Sequence, residues 1–131
     1  MMRTVFGIVI ILLTFLITGC KEDIRKRTIY SEDKRKAITV IHFGDSNKTY
    51  LINEQYGPNT IPGNNYILNN HSVLENFIGL VEWTDSTTVI YTQYGEFNTS
   101  NAGDDFYLKR ISTKEFEEMK KDTVRYKYFY Q

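Results

Sequence analysis

The sequence predicts an α+β fold: a small, mainly antiparallel β-sheet of about five to seven strands with one helix near the C-terminus. Three observations lead there. Short runs rich in β-branched and aromatic residues recur from position 37 onward, separated by turn chemistry. One stretch, Ser112-Thr113-Lys114-Glu115, has the pattern that opens a helix. The last residues alternate, Val124, Tyr126, Tyr128 and Tyr130 on one side against Arg125 and Lys127 on the other.

Residues 37–43 (A-I-T-V-I-H-F) read as the first strand and 48–52 (K-T-Y-L-I) as its return, joined through Gly44-Asp45-Ser46-Asn47 as a hairpin. The stretch 53–76 holds Pro58, Pro62, Gly57 and Gly63. It reads as a long loop, with a short strand at 66–68; loops of this length often carry function. Residues 77–83 (F-I-G-L-V-E-W) form a third strong strand, with Phe77, Gly79, Val81 and Trp83 on one face. Its partner is expected at 87–94, across the turn Thr84-Asp85-Ser86, and a polar loop follows at 95–103. A strand at 104–111 leads into the helix. There the Ser112 hydroxyl can accept from the Glu115 amide, and Phe116 and Met119 share one face. The helix is expected over 113–122 and a last, half-buried strand over 124–130.

The first residues follow different rules. Val5 to Ile17 is apolar apart from Gly7 and Thr14, which makes a helix of roughly 20 Å. A bilayer core needs about 30 Å, so the segment fits the apolar core of a signal peptide. It ends at Ile17-Thr18-Gly19-Cys20, and Cys20 is the only cysteine in the chain. These residues resemble the lipobox of bacterial lipoproteins. The resemblance implies cleavage between Gly19 and Cys20 and a thioether lipid, with fatty acyl chains such as palmitate, on the Cys20 sulfur. Lys21-Glu22-Asp23 in turn resembles the signal by which one branch of Gram-negative bacteria sends lipoproteins to the outer cell surface. The expected location is therefore the cell envelope, at the outer membrane, with display at the surface or on the periplasmic face.

This gives a division into signal peptide (1–19), lipidated cysteine and charged tether (20–36) and a single globular domain (37–131). The formal net charge is +0. Residues 21–36 carry seven basic and four acidic side chains, and residues 37–131 carry eight basic and twelve acidic ones. An acidic domain without a basic patch argues against a nucleic-acid partner. With one cysteine, no internal disulfide can form.

Motifs of chemistry are sparse. The two histidines, His42 and His71, show no zinc-type spacing with acids or cysteine, so neither a metal nor a cofactor is expected. No catalytic residue is assigned. An enzyme would need a carboxylate pair or metal site built from Asp104, Asp105, Glu82 or His71. The ten tyrosines, eight phenylalanines and one tryptophan are more telling. Tyrosine offers rigid amphipathic area and is enriched in binding surfaces, although it also suits the half-wet face of a small sheet. Tyr56, Tyr66, His71, Trp83 and Tyr94, with the loops 53–76 and 95–105, are the candidate partner-binding residues. The expected function is a membrane-anchored, non-enzymatic binding or accessory module that meets an envelope protein or glycan. The alternative is an envelope immunity or inhibitor protein directed at a toxin or hydrolase.

Overall fold

The computed structural model describes residues 23–70 and 78–130. Cys20, the lipobox and His71 lie outside the described residues, as does Phe77. Among the described residues no helix is long and apolar enough to cross a membrane.

Among the described residues the fold is α+β and mainly antiparallel, with one helix near the C-terminus. It forms two sheets rather than one. The first has the order β1-β2-β3-β4-β7: β1 (Ile24–Tyr30), β2 (Ala37–Phe43), β3 (Lys48–Ile52), β4 (Tyr66–Asn69) and the short β7 (Phe97–Asn98). The second has the order β8-β6-β5-β9: β5 (Ile78–Trp83), β6 (Thr88–Thr92), β8 (Phe106–Arg110) and β9 (Lys127–Tyr130). All pairs are antiparallel except β6 with β8. The segment between those two dips into the first sheet through β7, which is why consecutive strands there run the same way.

The inner faces of both sheets meet in one core. Ile29, Ile38, Val40, Leu51 and Ile67 come from the first sheet; Val81, Ile90, Phe106 and Phe129 come from the second. Gly79 leaves room for this packing. A Cβ there would stand 2.8 Å from the ring of Phe129. Strand β2 is buried on both faces, because each face has its own cover.

The outer cover of the first sheet is the 53–65 segment. Thr39 Oγ1 donates to the Glu54 carbonyl (2.8 Å) and accepts from the Tyr56 amide (2.9 Å). Lys26 Nζ on β1 reaches the Gly57 carbonyl and Asn59 Oδ1. The Asn53 amide donates to the Asn65 carbonyl (2.9 Å) and closes the neck. The stretch is thus a compact strap whose ends meet, and Ile41 and Ile52 beneath it have no exposed surface.

Two expectations are corrected. Residues 24–30, read as part of a tether, are the edge strand β1, paired along its whole length from Ile24↔Phe43 to Tyr30↔Ala37. Ile29 enters the core and the charged side chains stay outside, so composition alone concealed the strand. The C-terminal strand starts at Lys127 rather than 124, because the Asp122 carboxylate and carbonyl accept the Arg125 and Tyr126 amides in a turn. Phe129 is buried there, and Tyr128 is exposed.

The helix α1 (Thr113–Lys120) opens at Ser112, whose hydroxyl accepts from the Glu115 amide. It lies on the outer face of the second sheet. Phe116 is buried there, with its ring 6.4 Å from that of Tyr128.

Candidate functional site

The strand registers define two poles. The near pole holds Asp23, the 44–47 turn, the start of β5 and the end of β6; the Asn70 amide donates to the Glu96 carbonyl there (3.0 Å). The far pole gathers the β1–β2 turn, the neck of the strap, the β5–β6 turn and the residues before β8.

At the far pole the 31–36 turn is tied to itself. Ser31 Oγ donates to Asp33 Oδ1 (2.8 Å), and the same oxygen accepts the Arg35 amide (3.0 Å). These two bonds, the Arg35 amide first, hold the Asp33 carboxyl below its ordinary range. Lys34 takes a left-handed φ of 61°, and Lys34 and Arg35 project into water. Lys36 turns the other way. Its Nζ donates to the Thr84 and Asp85 carbonyls and so bridges the two sheets. The receiving turn is itself closed by the Thr84 amide on the Thr87 carbonyl (2.9 Å).

A cleft opens on each side of this bridge. One, of about 390 Å³, is lined by Lys34 and Arg35 and by Glu54, Asp85 and Asp105. The second, of about 430 Å³, has Trp83 and Val124 as its apolar part, flanked by Asp33 and Arg125. Val124 is 69% exposed. The Trp83 ring packs against the core, and its buried Nε1–H finds no acceptor among the described residues. Side chains of both signs around one cleft, with apolar Trp83 and Val124 in the other, suit a partner that carries both signs of charge.

A second polar cluster lies on the outer face of the second sheet. The Glu82 side chain, only 10% exposed, accepts from Arg125 Nε (2.5 Å) and from the Tyr91 hydroxyl (2.7 Å). Tyr126 packs edge-on against Tyr91 at 5.8 Å, and the Arg125 guanidinium lies 5.1 Å from the Tyr126 ring. Burial, then the Glu82 carboxylate, pushes the Tyr91 phenol well above its ordinary range. The Glu82 carboxylate is occupied on both oxygens, so the arrangement acts as a latch between β5, β6 and the segment before β9.

The five candidate binding residues do not form one surface. Trp83 lines a far-pole cleft. Tyr56 belongs to the strap, which it joins to β2 through its amide. Tyr66 lies on the outer face of the first sheet, its ring 5.6 Å from that of Tyr50, and its hydroxyl accepts from Asn101 Nδ2 (3.1 Å). Tyr94 is at the near pole. His71 is outside the described residues. Of the acids named for an enzyme, Glu82 sits in the latch and Asp105 in the first cleft, so they do not converge. Among the described residues no group of three or more His, Cys, Asp or Glu is placed to hold a metal. The far-pole residues that sequence reasoning missed are Lys34, Arg35, Lys36, Asp85 and Arg125. Thr28-Ile29-Tyr30 ahead of Ser31-Glu32-Asp33 was the available signal: a β-branched and aromatic run ending in turn chemistry.

No family model matches this chain, and no curated protein or solved structure is significantly similar to it.

Proposed function

We propose that this chain is a lipid-anchored, non-enzymatic binding module of the bacterial cell envelope, held by acyl chains on Cys20 and presenting its far pole to a protein partner. One observation carries the reading. Both clefts share the Lys36 bridge at the end of the sandwich opposite Asp23, three positions after Cys20. A short leash at one pole leaves the other accessible. A cleft lined by side chains of both signs fits a protein surface of mixed charge better than a uniformly charged polymer.

The test has two arms. Fractionation of cells carrying Cys20→Ser is expected to release the protein from the membrane and block leader cleavage; retention with normal processing overturns the anchor. Crosslinking on intact cells is expected to capture one partner with the unsubstituted chain. Arg35→Glu or Asp85→Lys should abolish that capture, and the near-pole control Asp45→Lys should leave it intact. Loss in all three variants, or capture of a glycan alone, overturns the protein-binding reading.

A further inference from the structure

Among the described residues the near pole carries two exposed apolar side chains, Ile78 at 44% and Tyr94 at 63%. Their backbones meet at one hydroxyl. The Thr92 hydroxyl lies 3.4 Å from the Ile78 carbonyl and 2.9 Å from the Tyr94 carbonyl. Asp23 is at this same pole, where its carbonyl accepts the Gly44 amide (2.8 Å). Cys20 precedes Asp23 by three positions. Three extended residues span at most about 10 Å. An anchor on Cys20 therefore holds Asp23 within about 10 Å of the lipidated sulfur, which makes the near pole the end of the sandwich turned to the bilayer.

We infer that the near pole rests on the lipid surface, with Ile78 and Tyr94 as its interfacial contacts. The inference depends on the anchor proposed above and adds an orientation to it. A tyrosine ring with a polar tip suits the headgroup level, where one end is apolar and the other wet. Ile78 loses contact with water when the pole settles. The long axis of the sandwich then stands away from the membrane. The strands of β1 and β2, seven residues each, lift the clefts by roughly 20 Å.

Trp83 is the only tryptophan in the chain and lies at the far pole, so the protein carries its own reporter. The acylated full-length product is purified from membranes and placed in phosphatidylcholine vesicles with brominated acyl chains, which quench tryptophan at the interface. Trp83 emission is expected to match that in unbrominated vesicles. In a variant combining Trp83→Phe with Tyr94→Trp, emission is expected to fall about twofold, because an indole at that position sits where the headgroups meet the acyl chains. Equal quenching at both positions, or none at position 94, overturns the orientation. A dimer whose position-94 reporter stays unquenched overturns it in favour of a second copy of the chain. Amide exchange of the unsubstituted protein gives a readout that needs no variant. Exchange at 93–96 is expected to slow on vesicles relative to detergent, with 84–87 unchanged; no slowing at 93–96 overturns the orientation. Cys20 without acyl chains by mass spectrometry removes both the anchor and the orientation. Acylated Cys20 without near-pole contact removes the orientation alone.

Discussion

His42 is the titrating side chain with the clearest consequence. It lies buried on β2, its Nδ1 2.9 Å from the Thr49 hydroxyl. Burial, then the nearby Arg25 guanidinium, holds the imidazole below its ordinary value of 6.5, while Asp23 pulls weakly the other way. The unfolded chain therefore takes up this proton before the folded one does. Stability is full above about pH 6.5 and falls as the pH drops toward the folded value. Urea midpoints measured between about pH 7.5 and 5.5 should decline, and His42→Gln should flatten that slope. At the other extreme, Tyr50, Tyr91 and Tyr126 all ionise above their ordinary value of 10.0, each chiefly through burial. The unfolded chain loses these protons first, so stability should also fall above about pH 10. Removing the Tyr91 hydroxyl takes away a bond to the Glu82 carboxylate. Tyr91→Phe should lower stability by about 1.5 kcal/mol, read from chemical denaturation.

Among the elements, the strap and β5 give the sharpest tests. Thr39 is fully buried and its hydroxyl serves two backbone groups of the strap. Thr39→Val keeps the shape and strands the Tyr56 amide and the Glu54 carbonyl. Stability should fall by about 1–2 kcal/mol, and amide exchange at Tyr56 should speed up before any global opening. Gly79→Ala drives a methyl into the Phe129 ring, which is 1% exposed and has nowhere to go. The expected loss is about 2 kcal/mol, seen as a lower denaturant midpoint. These elements also show what the sequence discloses. The Ala37–Phe43 and Lys48–Ile52 hairpin was legible because β-branched runs flank an Asp-Ser-Asn turn. The helix was legible because the Ser112 cap is a local signal. Strand β1 was hidden because an edge strand can bury one side chain, Ile29, and still look like a charged linker. The division into two sheets was hidden because β7 is two residues long and its pairing with β4 is nonlocal.

For the whole molecule, the boundary of the folded unit moves. Strand β1 belongs to the domain, so deleting 24–30 should abolish the cooperative thermal transition. A mere tether would leave the transition unchanged. The deletion uncovers β2, six of whose seven residues are buried. The far-pole clefts follow the same logic. The sequence contains their residues, yet the approach of the 31–36 and 84–87 turns rests on one lysine reaching across the sandwich, a contact between positions 36 and 85 that no local pattern announces. The aromatic residues singled out in the sequence are divided among the strap, the first sheet's outer face and the two poles. Strand β1 has one more consequence. It is the open margin of the first sheet, and Arg25, Lys26 and Arg27 follow one another along it. Copies crowded onto one surface would meet margin to margin, where an unguarded strand invites a neighbour to add on. Three consecutive cations make identical margins repel, which disfavours growth into ribbons through this edge.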